Sequence, residues 1–152
     1  MVNELVLMMG GAGSGKSTVR AREYATATVV DCDAIKAEHP AYDAKNPSLV
    51  HEWSSQEATR RLYGAIANGE QVVFDGTGST ADKYVQFANA AHAAGYTVTL
   101  CYVTCDIAVA MARNAKRART VPEFVVRESH ARVGLSYEIV SRYVDSVRVI
   151  QN

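Results

Sequence analysis

The chain has 152 residues, 48% of them hydrophobic and 21% charged, which suits one ordinary globular domain with no room for a second. Sixteen Lys and Arg balance sixteen Asp and Glu, which excludes a generally basic nucleic-acid coat or a polybasic membrane binder but leaves room for a local basic groove. No apolar run approaches the roughly 18 residues of a membrane span, the start lacks a secretory leader, and Cys32, Cys101 and Cys105 form no disulfide or zinc pattern; a reduced, cytoplasmic setting is expected.

In chain order, short apolar runs alternate with helical periodicity, the pattern of βαβ units around a parallel sheet. Leu5 to Met9 predicts a buried strand ending in glycines, followed by a helix from about Ser17 to Ala27. Val29-Val30-Asp31 predicts a second strand. Residues 39–50, with Pro40 and Pro47, read as loop, and 52–68 as helix closed by Asn68-Gly69. Val72 to Asp75 is a third strand, residues 76–80 a polar loop, and 81–94 a helix stopped at Gly95. Tyr96 to Val103 is a fourth strand. Helix follows at about 107–117, then loop, then helices over roughly 122–143, and Val147 to Ile150 makes a fifth strand. Trp53, Tyr63, Phe74, Phe87 and Phe124 sit in apolar patterns and are expected in the core, with Tyr42 and Trp53 also open to base stacking.

Gly10-Gly11-Ala12-Gly13-Ser14-Gly15-Lys16-Ser17 fits G-x-x-x-x-G-K-[ST] in the strand–loop–helix context the motif requires. Its glycines let successive N–H groups point into one concavity, and the next helix's N-terminus adds to the pull on phosphate oxygens. Gly10 to Thr18 are therefore expected to bind ATP or GTP. Lys16 would reach the β- and γ-phosphates, and the Ser17 hydroxyl would meet Mg²⁺.

Two strand ends then supply carboxylates where ligands gather in such sheets. In Asp31-Cys32-Asp33-Ala34-Ile35-Lys36, Asp33 is the expected general base for an acceptor hydroxyl, and Asp31 the expected helix cap or loop anchor. Lys36, three residues on, shares Asp33's face if the chain turns helical and is assigned to substrate. Asp75 is assigned to the Mg²⁺ shell or to orienting the acceptor, with the Thr77 hydroxyl beside it assigned to substrate binding. Ser79 or Thr80 would cap the next helix.

Cations for the transition state are expected from a lid at about 113–122. Arg113, Lys116 and Arg117 fall on one helical face and Arg119 follows. Residues 113–132 hold six basic and two acidic side chains, an excess of four in a neutral protein. The four histidines lack ligand spacing, so no metal beyond Mg²⁺ is assigned.

Taken together, these residues resemble the P-loop kinase group that includes phage-type polynucleotide 5′-kinases and zeta toxins, from Leu5 to about Ser136. Gly13 to Thr18, the Asp33–Lys36 unit, Asp75, and Arg113-Asn114-Ala115-Lys116-Arg117 followed by Val121-Pro122 and Val125 point to the polynucleotide kinases. Asp31 to Lys36, His39 to Asp43, His51 and Asp75-Gly76-Thr77-Gly78 point to the zeta toxins, which phosphorylate a nucleotide-activated amino sugar. The resemblance implies a three-layer α/β/α P-loop kinase with a five-stranded parallel sheet and an Arg-rich lid. It implies ATP and Mg²⁺ as cofactors, Asp33 as base, and Arg117 as a grip on the donor's phosphates. Lys36 stands where an arginine is usual, which weakens bidentate phosphate recognition. Thr59 falls where zeta toxins carry a substrate-binding acid. A nucleic-acid hydroxyl, either a 5′ end or a hydroxymethylated base of the kind some phage kinases modify, is thus the expected acceptor, ahead of a nucleotide sugar or other small molecule. A nucleotide-binding switch without phosphotransfer is the third reading, against which Asp33 argues.

Overall fold

A computed structural model describes residues 3–43, 45–117 and 120–152. Five strands, β1 (Glu4–Met9), β2 (Thr28–Asp31), β3 (Val72–Asp75), β4 (Thr97–Thr104) and β5 (Ser146–Gln151), form one sheet in the order β2-β3-β1-β4-β5. All four pairings are parallel, with Leu7 of β1 in register with Phe74 of β3 and Leu100 of β4. A parallel sheet needs helical crossovers, and these are α1 (Lys16–Glu23), α2 (Cys32–Ala37), α3 (His51–Ala67), α4 (Ala81–Ala93), α5 (Ile107–Ala115) and α6 (Glu123–Val140).

β1 is buried from Leu5 to Met9 because it is central and covered on both faces, so it reads as a continuous apolar run. Its side chains alternate between two cores. Leu5, Leu7 and Met9 join Leu62, Phe74, Phe87 and Val133 on the face covered by α3, α4 and α6. Val6 and Met8 join Val19 of α1 on the other face. The architecture is the expected three-layer α/β/α sandwich. A small third cluster of Cys105, Ala110 and Val126 ties α5 to α6 beside Ala12. Among the described residues no helix is long and apolar enough to cross a membrane.

Several expectations shift. α1 stops at Glu23 rather than Ala27, because the Ala27 N–H turns back to the Tyr24 carbonyl and the chain enters β2 at Thr28. The loop at 39–50 holds a 3₁₀ turn over Pro47–Val50. Residues 123–140 are one helix followed by a 3₁₀ turn, not several helices. Phe74 and Phe87 are core residues, as expected. Phe124 is 68% exposed, Tyr63 40% and Trp53 36%, so these three lie outside the core. Phe124 falls in the first turn of α6, beyond the reach of the sheet. Trp53 instead packs edge-on against His39, with ring centroids 4.8 Å apart.

Candidate active site

β1 is the switch point of the sheet, with its neighbours leading away on either side, and its carboxyl end runs into the glycine loop at the place such sheets bind ligands. Gly15 precedes α1 with φ +87°, a left-handed conformation that a side chain resists, and no side chain caps the helix. The first N–H groups of α1 therefore remain available to an anion.

This loop is held by three other parts of the chain. Ser129 Oγ of α6 accepts the Ala12 N–H at 3.1 Å, and His130 Nε2 lies 2.8 Å from the Ala12 carbonyl, so that nitrogen carries a proton and donates it. Arg113 of α5 donates to the Gly13 carbonyl at 3.0 Å, and Asn152 Nδ2 donates to the Ser14 carbonyl at 2.9 Å. The His130 ring packs so closely on Gly11 that a Cβ there would meet its Cδ2 at 2.5 Å. Sequence reading missed Ser129 and His130, which lie 117 and 118 residues from the loop they hold. It expected Arg113 as a catalytic cation, and the structure places its guanidinium against the glycine loop, on the Gly13 and Asn152 carbonyls. Arg117 is exposed beyond the end of α5, and Arg119 lies outside the described residues.

Asp75 ends β3 at 5% exposure, and both its oxygens face cations: Lys16 Nζ at 3.1 Å and Arg20 Nη1 at 2.6 Å. Arg20 also reaches Asp31 at 2.9 Å. Burial opposes the Arg20 charge, but the Asp31 hydrogen bond and the nearby Asp75 carboxylate together hold its pKa above the ordinary value. Arg20 escaped sequence reading, although its i+4 spacing from Lys16 on one helical face was a usable signal.

Asp31 has the capping role expected of it, with its Oδ1 accepting from the N–H groups of Asp33 and Ala34 at 3.0 and 3.1 Å. That cap starts α2 and leaves Asp33 exposed in its first turn. Thr80 occupies the N-cap position of α4 but makes no side-chain cap bond. The Thr77 hydroxyl lies 3.3 Å from Ser79 Oγ, and the Thr77 carbonyl takes the Gly10 N–H at 3.0 Å, which joins this loop to the glycine loop.

These groups surround one cavity of about 430 Å³. Lys16 and Asp75 stand at the phosphate-loop end, Asp33 and Lys36 come from α2, and Thr77 comes from the loop after β3. Lys83 of α4 also lines it, unnoticed in the sequence. Lys36 Nζ lies 3.3 Å from His51 Nδ1. Tyr84 closes the floor by donating to the Met8 carbonyl at 2.6 Å, and burial raises its pKa well above the phenol value. Burial likewise pushes the Cys32 thiol up to about 11, so it lines the wall as a neutral group. For Mg²⁺ the expected donors are the Ser17 hydroxyl and the Asp75 carboxylate. Both are hard oxygen donors, as the cation requires, and Asp75 keeps lone pairs beyond the two its cations occupy. Ser17 and Thr18 are exposed at the start of α1.

Known proteins share this frame. A calmodulin calcium-dependent NAD kinase of Arabidopsis thaliana is 33% identical in an alignment of 93 residues, covering 48% of this chain and 17% of the relative. A solved structure from the PezAT chromosomal toxin–antitoxin system of Streptococcus pneumoniae superposes with a TM-score of 0.73 at 15% identity, over 97% of this chain and 68% of the other. The AvrRxo1-ORF1:-ORF2 complex with ATP gives 0.71 at 18% identity, over 98% and 54%. The chain thus spans a small part of the curated relative and about half of the AvrRxo1 chain. Residues 5–138 match the family described as an AAA domain, AAA_33. With that match over most of its length, a phosphate loop at the head of a five-stranded parallel sheet and these structural neighbours, the chain belongs to this AAA domain family and has the P-loop kinase fold.

Proposed function

We propose that the protein transfers the γ-phosphoryl group of ATP to a hydroxyl of a small molecule held in the cavity, with Asp33 as general base. The observation that carries this reading is the single cavity in which Asp33 and Lys36 face the same space as Lys16 and Asp75. Its volume suits a metabolite-sized ligand. The ATP-containing structural neighbour supports the donor, and the NAD kinase supports a small acceptor.

In the reaction, the acceptor oxygen forms a bond to Pγ as the bond from Pγ to the β–γ bridging oxygen breaks. Asp33 takes the hydroxyl proton, and ADP leaves with the electron pair of the broken bond. Lys16 turns from Asp75 to the donor phosphates. Asp75 tolerates that departure because Arg20 stays on its other oxygen. Mg²⁺, when bound at Ser17 and Asp75, neutralises charge on the phosphate oxygens. Among the described lid residues, Lys116 and Arg117 are exposed cations, and Arg117 would engage after the substrates are in place.

A nucleic-acid acceptor, a 5′-hydroxyl end or a hydroxymethylated base in DNA, is the second reading. The exposed Lys116-Arg117 pair beyond α5 favours it, since flanking phosphates bind such charges. Both readings are tested by offering γ-labelled ATP with four acceptors in parallel: NAD, UDP-N-acetylglucosamine, a 5′-hydroxyl oligonucleotide, and an oligonucleotide with internal hydroxymethyluracil and blocked ends. Label on either small molecule is the expected result. Label confined to an oligonucleotide transfers the assignment to the second reading, and hydrolysis without any labelled acceptor overturns the kinase assignment.

A further inference from the structure

Lys83 stands in the third position of α4 with its ammonium in the cavity wall, 2.8 Å from Ser55 Oγ of α3. The same nitrogen lies 5.7 and 5.8 Å from the ring centres of Phe74 and Phe87. One hydroxyl and two ring faces compensate only part of the hydration that a half-buried ammonium gives up. Among the described residues no carboxylate lies within ion-pair distance of Lys83 or of Lys36, whereas Lys16 in the same cavity is paired with Asp75. The cavity therefore holds two lysines without carboxylate partners among the described residues, from α2 and α4. The Thr77 and Ser79 hydroxyls, which also line the cavity, add donors of the kind that phosphate oxygens accept.

We propose that Lys83 and Ser55 form an acceptor-side anion subsite that holds a phosphate or pyrophosphate group of the molecule whose hydroxyl is phosphorylated. The inference rests on the kinase reading above and narrows its substrate to a phosphate-bearing alcohol. The anion is bound by Lys83 at one part of the cavity while the hydroxyl faces Asp33 at another, and an uncharged alcohol of the same size leaves the ammonium uncompensated. Lys83 acts on specificity rather than on the chemical step.

The test separates this subsite from the donor site. Protein saturated with Mg²⁺ and ADP is titrated with inorganic pyrophosphate by calorimetry, alongside Lys83→Gln, Lys83→Arg and Lys16→Ala. Expected are measurable pyrophosphate binding to the wild type, an affinity at least about 10-fold weaker in Lys83→Gln, and recovery to within about 3-fold in Lys83→Arg. ADP affinity should be the same in both Lys83 variants. In the transfer assay, the acceptor's KM should rise in Lys83→Gln with kcat nearly unchanged. Pyrophosphate binding that is indifferent to Lys83, or that depends on Lys16 alone, overturns the subsite. Failure of ADP to bind, or of any acceptor to take label, counts instead against the kinase reading.

Discussion

Arg20 Nη1 sits 2.6 Å from Asp75 Oδ2, so the carboxylate that ends β3 keeps a cation even when Lys16 leaves it. Replacing Arg20 by Met leaves buried Asp75 with Lys16 alone. Removing one partner of a fully buried pair costs about 3–5 kcal/mol; here Arg20 is partly exposed and a second cation remains, so about 1–3 kcal/mol is expected. ATP affinity should fall as well, because Lys16 is then needed at Asp75. Urea unfolding and titration of a fluorescent ATP analogue measure the two effects. An Arg20→Met protein with wild-type stability and affinity would show that Lys16 suffices.

His130 and Gly11 are predicted to be coupled, since the ring occupies the space a Gly11 side chain would need. His130→Ala removes one hydrogen bond to the loop and should weaken ATP-analogue binding about 3- to 10-fold, the scale of one net hydrogen bond. Gly11→Ala should be harmful in the wild type and much less so in a His130→Ala background. Simple additivity of the two changes would refute a direct contact as the cause.

Asp33 and Asp31 should separate chemistry from folding. Asp33→Asn is expected to lower turnover by about 10²-fold or more with ATP binding and stability intact, since the residue is exposed. Asp31→Ala removes the cap of α2 and should cost about 1 kcal/mol of stability with a smaller loss of rate. Full activity in Asp33→Asn, with Asp31→Ala inactive yet stable, would exchange the two roles.

An acid-side stability loss is predicted at the start of β5. His92 donates to Asp145 Oδ2 at 2.7 Å and the Val98 N–H donates to it at 2.7 Å, and these bonds hold the carboxyl below its ordinary pKa. A folded pKa below the unfolded one gives stability that is present above the unfolded value and lost as pH falls through the folded value. The urea midpoint should therefore drop as pH goes below about 4, and Asp145→Asn should flatten part of that slope. Parallel pH profiles in both proteins would remove Asp145 from the acid limb.

Local information was enough for every strand and for the phosphate loop. Period-2 and continuous apolar runs mark buried strands, and the glycine–lysine spacing reflects backbone conformations that few other residues adopt. The same holds for the Asp31 cap, because its bonds span only two and three residues. Helix boundaries and the exposure of Phe124 were less legible, since both depend on how far the sheet reaches.

The amino-acid order by itself determined the parallel α/β class, the anion-binding loop and two carboxylates at strand ends, all consequences of short-range sterics and side-chain periodicity. Only the tertiary structure decided which groups meet. It put Arg20 on Asp75 across 55 residues, His130 on Ala12 across 118, and Lys83 on Ser55 across 28. The sheet order β2-β3-β1-β4-β5 brings the ends of β1, β2 and β3 to one cavity, and nothing in the local sequence around Lys83 or His130 specifies that neighbourhood. Such contacts arise from packing helices onto both faces of an open parallel sheet, a global constraint that no window of residues contains.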